Sequence, residues 1–283
     1  MAKLTTYLSF VRFGHSVFAL PFALTGALLA WRTHGFTWSQ GLWIVVCMVA
    51  ARSAAMGFNR VADARYDALN PRTASRELPR GVMKTREAWL FVLVTSVVFV
   101  YAAFRLNVLC GILSPVALAV VFWYSLAKRF TSYTQLFLGL AMAVAPVGGW
   151  MAAGGGAGWA PWMLGLAIGL WVGGFDILYA CQDLEFDRAH GLQSIPARFG
   201  VERAIAVSRG MHAGAVACMV ALWRVASLPA MYLAGVALVA ALLAYEQSLV
   251  SDDDLSQVKR AFDLNGWVGI TYFVCTAASL YFA

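Results

Sequence analysis

The sequence predicts an all-α integral membrane protein, and three observations carry that expectation. Of its 283 residues, 61% are hydrophobic and only 12% charged, whereas a soluble domain is about half apolar and about a quarter charged. The mean hydropathy is +0.71. Nine separate stretches are long and apolar enough to cross a hydrocarbon core of about 30 Å.

The first stretch, 16–32, follows Lys3 and Arg12 and contains the small residues of "ALPFALTGALLAW". A signal peptide has similar features, but eight comparable stretches follow, so it reads as the first membrane helix. Spans at 39–57, 88–104, 108–127, 134–153 and 160–180 come next, then 204–223, 227–245 and 262–282. Arg209 and His212 interrupt 204–223, which makes it the least regular. Trp31, Trp38, Trp89 and Trp162 stand near span ends, where amphipathic rings anchor at the interface. With the N-terminus inside, the outward loops hold only Arg32, Arg105 and Arg224. The other 18 of the 21 Lys and Arg then lie on or near the cytoplasmic side, which predicts an N-in, C-out orientation. Topology therefore accounts for the net charge of +7 without a nucleic-acid partner. Cys47, Cys110, Cys181, Cys218 and Cys275 lack metal-ligand spacing and read as buried membrane thiols.

Two polar stretches break the apolar pattern. Residues 59–87 carry Arg60, Arg65, Arg72, Arg76, Arg80, Lys84 and Arg86; the second, 176–200, follows the sixth span. Both leave an even-numbered span on the cytoplasmic side, and Asp63 and Asp183 lie 120 residues apart. One domain over 1–283, with internal halves of about 1–130 and 131–245 and a ninth helix appended, would produce that spacing. "GWMAAGGGAGWAP" reads as an outward turn. "SDDD" at 251–254 reads as a solvated loop, because consecutive acids point in different directions. Neither a separate soluble domain nor an obligate protein partner is expected.

If the second span continues as a helix beyond the membrane, Asn59, Asp63 and Asp67 form one stripe at intervals of four, and Pro71 ends the helix. Asp176, Tyr179 or Ala180, Asp183 and Asp187 repeat the geometry, with Glu185 directed elsewhere. Two such stripes at cytoplasmic helix ends can converge. Their fitting ligand is a hard cation: Mg²⁺ takes one or two carboxylates and shares its other positions with water and phosphate oxygens. The nearby arginines would then neutralise a diphosphate. Mixed Asp and Arg also form exposed ion pairs worth about 0–1 kcal/mol, and either stretch alone is compatible with that reading. Asp176 and Arg52 favour function, since a charge well inside a membrane helix costs about 2.5–3.5 kcal/mol.

These residues resemble the UbiA superfamily of intramembrane aromatic prenyltransferases. Asn59, Asp63 and Asp67 match its N-x-x-x-D-x-x-x-D motif; Asp176, Tyr179, Ala180, Asp183 and Asp187 match D-x-x-Y-A-x-x-D-x-x-x-D. "YSLAKRFT" resembles the Y-x-x-x-K-R segment through Tyr124, Lys128 and Arg129, and "RFGHSVFALPFALTGAL" resembles the first helix. "NPRTASREL" and "ACQDLEFD" are most similar to 4-hydroxybenzoate polyprenyltransferases and to the 1,4-dihydroxy-6-naphthoate branch of the futalosine route. Arg60 departs from the pattern, since many members have Asp directly after the Asn.

The resemblance implies nine helices around a central cavity capped by cytoplasmic polar loops, in a bacterial-type inner membrane. It implies Mg²⁺-dependent transfer of a polyprenyl group from its diphosphate to a small aromatic acid, in ubiquinone or menaquinone biosynthesis. Asp63, Asp67, Asp183 and Asp187 would be metal ligands, with Asn59 assisting. Arg72, Lys128, Arg129 and Arg76 would engage diphosphate; Arg52, Tyr124 and Tyr179 would meet the acceptor. Asp176 would orient the acceptor, take its proton or support the metal. His15, Arg12, His190 and Arg198 are lesser candidates, while Arg80, Lys84 and Arg86 fit topology alone. The rivals are a transporter of an anionic aromatic metabolite and a haem- or chlorophyll-type prenyltransferase.

Overall fold

A computed structural model describes residues 6, 7, 9–11 and 20–282. Arg12 and His15 lie outside the described residues. Every regular element among them is helical. The long helices are α1 (Leu20–His34), α2 (Trp38–Leu69), α3 (Thr85–Leu106), α4 (Val108–Ala127), α5 (Thr134–Ala152) and α6 (Ala160–Ala180). After two short helices, α7 (Leu184–Ala189) and α8 (Ile195–Phe199), come α9 (Val201–Val225), α10 (Met231–Ser248) and α11 (Val258–Tyr281).

Seven helices among the described residues are long and apolar enough to cross a membrane: α2 to α6, α9 and α10. Two of the nine expected spans fall outside that set. The described part of α1 has 15 residues, short of the roughly 20 needed to span. Helix α11 is long enough, but Asn265 and the Gly, Thr, Ser and Tyr residues along it dilute its apolar content. The irregular seventh span is a continuous helix. Its Ala204, Ile205, Ser208, His212, Ala215, Met219 and Leu222 form one buried stripe, while Arg209 lies on the exposed side.

The chain forms two compact units. The first comprises residues 1–20 and 37–126. In it α2 packs along α3, and Phe58 of α2 stacks on Phe122 of α4 with centroids 4.5 Å apart. Phe10 is fully buried against Met83 and Ala88, and its carbonyl accepts from Arg60 Nε at 3.3 Å. Helix α2 runs on to Leu69 and is capped by Asn70, whose N–H bonds to Tyr66 O. The Pro71 stop acts one residue ahead of the ring, which disfavours helical backbone at the preceding position.

The second unit comprises residues 21–36 and 127–283. Its axis is α6, which packs against α5, α9 and α11 and buries most of its side chains. Lipid is as apolar as leucine, so close approach of helices depends on small residues that admit backbone contact. A Cβ on Gly149 of α5 would strike the Ala23 carbonyl of α1, and one on Gly26 of α1 would strike the Pro146 carbonyl of α5. The 251–254 segment is exposed, as expected for a solvated loop. There the hydroxyl of Ser256, and then its backbone N–H, hold the Asp254 carboxyl below the usual carboxylate range.

Candidate active site

The first acidic stripe forms because α2 continues as regular helix through residues 59–67. Asp63 and Asp67 are buried, and Asn59 Nδ2 donates to Asp63 Oδ2 at 3.4 Å. Asp67 is gripped by the turn that follows: Arg76 Nη1 donates to both carboxylate oxygens at 2.7 Å. Thr73 Oγ1 adds a bond to the Asp67 carbonyl at 3.1 Å. The chain reaches that position because Asn70 turns it back, with Thr73 and Ala74 N–H both bonding to Asn70 O. Arg76, expected on the diphosphate, is therefore the counter-ion of Asp67, while Arg72 is exposed beside it.

Arg52 lies two turns earlier in α2, partly buried, and its Nε has no hydrogen-bond partner. A buried guanidinium N–H without an acceptor is costly, by about 1–3 kcal/mol or more for a charged group, so this position is chemically poised for an anion. Tyr124, on α4, is partly buried. Arg60, the residue that departs from the resembling pattern, is 4% exposed and turned toward Phe10.

The second stripe departs from a simple helix. Helix α6 ends at Ala180, Cys181–Asp183 form a 3₁₀ turn, and α7 resumes at Leu184. Asp176 lies on α6 within electrostatic range of Asp183 and Lys128, so three of the expected site residues gather in this unit. Asp187 accepts from Ser194 Oγ at 3.1 Å through Oδ2, and its carbonyl accepts from Leu192 N–H at 2.9 Å. The loop beyond is tied to the segment of Lys128 and Arg129. Gln193 N–H donates to Lys128 O at 2.8 Å, and Ile195 N–H to Gln135 Oε1 at 3.2 Å. Tyr179 packs against Phe262 with ring centroids 4.6 Å apart. His190 stacks on Phe186, and Arg198 rides over the rings of Tyr133 and Phe199.

Among the described residues, no three of His, Cys, Asp and Glu cluster as a protein-made metal cage. Mg²⁺ does not need one, since it keeps waters and substrate phosphates in most of its positions. Each stripe offers hard carboxylate oxygens, from Asp63 and Asp67 in the first and Asp183 and Asp187 in the second, a donor chemistry that fits Mg²⁺.

A family model, the UbiA prenyltransferase family, matches residues 19–270. The chain belongs to that family. It is accordingly a prenyltransferase, an enzyme, and a multi-pass integral membrane protein. A 4-hydroxybenzoate octaprenyltransferase of Xanthomonas campestris pv. campestris (strain B100) is 34% identical over 247 residues, 87% of this chain and 79% of that protein. One of Nitrosospira multiformis is 33% identical over 229 residues, 81% of this chain and 79% of the relative. The apo structure of a UbiA homolog from Aeropyrum pernix K1 superposes with a TM-score of 0.85 at 37% identity, covering 93% of this chain and 96% of that one. A UbiA homolog from Archaeoglobus fulgidus, bound to GPP and Mg²⁺, shares the fold at a TM-score of 0.72 and 19% identity, over 96% and 99% of the two chains.

Sequence reasoning missed several buried polar residues of this UbiA chain: Glu246, Gln247 and Asn265, none of them in an acidic motif. A signal existed. In α10 the buried positions Tyr232, Gly235, Val236, Val239, Leu243, Glu246 and Gln247 continue one stripe past the end of the apolar run.

Proposed function

We propose that this enzyme transfers a polyprenyl group from polyprenyl diphosphate to a carboxylated hydroxy-aromatic ring, of the 4-hydroxybenzoate or 1,4-dihydroxy-6-naphthoate kind, for ubiquinone or menaquinone synthesis. The acceptor class rests on Arg52. Its buried, unpartnered Nε stands seven residues before Asn59 on α2, where a guanidinium can hold a carboxylate by a two-pronged contact that Lys cannot copy. The names of the relatives support the same acceptor.

Asp63 and Asp67, with Asn59 assisting, and Asp183 and Asp187 would hold Mg²⁺. When bound, Mg²⁺ supplies positive charge that offsets the diphosphate as it departs. Arg72, Lys128 and Arg129 add fixed positive charge for the same oxygens, with Arg76 joining once it leaves Asp67. The C1–O bond of the allylic group breaks and its electron pair leaves with the diphosphate. Faces of Tyr124, Tyr179, Phe122 and Phe175 then stabilise the allylic cation by about 0.5–2 kcal/mol each. The ring carbon beside the hydroxyl bonds to C1, and that carbon releases its proton, for which Asp176 is the acceptor or the orienting group. Water is kept from the cation by the apolar spans around it. In this reading one domain of nine spanning helices lies N-in, C-out in an inner membrane. Both polar loops cap the site from the cytoplasm, and the prenyl tail lies against lipid.

The test is an acceptor panel run with one polyprenyl diphosphate and Mg²⁺, the products analysed by mass. A carboxylated phenol should gain the prenyl mass. Diphosphate release that never yields a prenylated ring, or uptake of the aromatic acid into liposomes without chemistry, would overturn the proposal.

A further inference from the structure

The last turn of α10 places two polar side chains inside the second unit, with Glu246 fully buried and Gln247 at 9% exposure. A carboxyl group inside a membrane helix is a functional candidate by default, yet Glu246 belongs to neither acidic stripe. Its Oε1 accepts from Asn265 Nδ2 of α11 at 3.0 Å, and Asn265 Oδ1 accepts from the Trp171 indole N–H of α6 at 2.6 Å. Gln247 Nε2 reaches the other way. It donates to Ser208 Oγ at 2.7 Å and lies 3.0 Å from His212 Nδ1, both on α9. Ser208 Oγ donates to the Gly174 carbonyl at 2.8 Å, and His212 Nε2 lies 3.2 Å from the Trp171 carbonyl. The His ring accepts from the amide at Nδ1 and donates to the carbonyl at Nε2, the one tautomer that serves both contacts. Gly174 permits this approach, since a Cβ there would overlap the imidazole.

Two consecutive residues of α10 thus hold one turn of α6 by two routes, through α11 and through α9. That turn lies directly before Asp176 and Tyr179. Aromatic contacts carry the constraint onward, from Trp171 to Phe175, from Phe175 to Phe262, and from Phe262 to Tyr179. Helix α6 is packed against α5, α9 and α11, and to that apolar packing the hydrogen bonds add contacts of preferred direction. Hydrogen bonds to two named carbonyls and one indole leave α6 a single rotation and depth.

We infer that Glu246, Gln247 and Asn265 are positioning residues that fix the rotation of α6 and so aim Asp176 and the second acidic stripe; this rests on the transferase reading above. The experiment compares Glu246→Leu, Gln247→Leu, Glu246→Gln and the milder Trp171→Phe in detergent. It measures kcat, KM for both substrates, the ratio of ring prenylation to bare diphosphate release, and amide exchange of residues 181–189. Small misplacements of reacting groups cost about a hundredfold in rate. Glu246→Leu and Gln247→Leu should therefore lower kcat by about tenfold to a hundredfold with both KM values nearly unchanged. They should also shift turnover toward bare diphosphate release and speed exchange in 181–189 but not in α2. Glu246→Gln keeps an acceptor oxygen for Asn265 and should restore wild-type behaviour. Trp171→Phe, which loses only the indole donor, should show the same partition shift even where the leucine variants fail to fold.

Activity that falls only with the amount of folded protein, at unchanged partition and exchange, would overturn the inference; so would a Glu246→Gln variant as impaired as Glu246→Leu. If the wild type itself transfers nothing, the functional reading fails, and the exchange of 181–189 alone decides whether the brace holds α6.

Discussion

Replacing Arg76 with alanine should tighten metal binding and weaken diphosphate binding, two changes of opposite sign from one substitution. In the structure a single Nη1 sits 2.7 Å from both oxygens of Asp67, the side chains being 20% and 9% exposed. An exposed ion pair is worth about 0–1 kcal/mol, and breaking a fully buried one costs about 3–5 kcal/mol. A pair this shielded but still wetted at the arginine end falls between, at about 1–2 kcal/mol, or roughly 5–30-fold in an equilibrium constant. A metal that takes Asp67 must displace Arg76, so deleting Arg76 removes that competition. Mn²⁺ is the convenient probe, its free ion counted by electron paramagnetic resonance as it is titrated into purified protein. Affinity should rise about 5–30-fold in Arg76→Ala, while polyprenyl diphosphate binding should weaken because the freed guanidinium is no longer there to meet it. Since one nitrogen faces both oxygens, the contact is nearly that of a point charge, and Arg76→Lys should keep part of it. Unchanged or weaker Mn²⁺ affinity in Arg76→Ala would refute the reasoning, showing that Asp67 either binds no metal or binds it with Arg76 in place.

Asp63→Asn and Asp183→Asn should each nearly abolish turnover in the mass assay, with added Mg²⁺ restoring only a small part, because an amide oxygen carries no net charge for the cation. Arg52→Ala should raise the acceptor KM by at least about tenfold, the loss of one charged hydrogen bond, and leave the diphosphate KM almost unchanged; equal effects on both would break the assignment. Gly149→Val places a side chain into the Ala23 carbonyl of α1, so the unfolding temperature in detergent should drop, by several degrees at least, whichever substrates are present.

The helices were legible because lipid imposes one rule on every span, and the rule is compositional. The end of α2 was legible for a local reason, the proline after Asn70. The 59–63–67 stripe followed from helical period alone, and the structure keeps it on one helix. What escaped needed the chain to return on itself. Arg76 reaches Asp67 across nine residues and a turn, a separation that no helical spacing relates, so nothing distinguished it from the six other basic residues in 59–87. The second stripe was read as continuous helix, but a 3₁₀ turn at Cys181–Asp183 interrupts it, and that depends on how the following loop docks against residues 128–135.

Arg52 and Glu246 illustrate how far one rule reaches. Both put an ionisable group into a membrane helix, and both leave one polar atom without a hydrogen-bond partner, Nε in the first and Oε2 in the second. The rule that such residues are functional candidates applies to each, but it does not say which function. Their surroundings do. Glu246 is fully buried and already joined, through Asn265, to a fixed set of side chains, so it has little room for anything that comes and goes. Arg52 is partly exposed on the helix that carries the first acidic stripe and its Nε is unbonded, which suits the proposed role of meeting an anion. A buried group bonded into a network is therefore assigned to holding the machinery still, and an accessible one to meeting the substrate; the paired substitutions at the two positions should separate along that line, with kcat moving at Glu246 and the acceptor KM at Arg52.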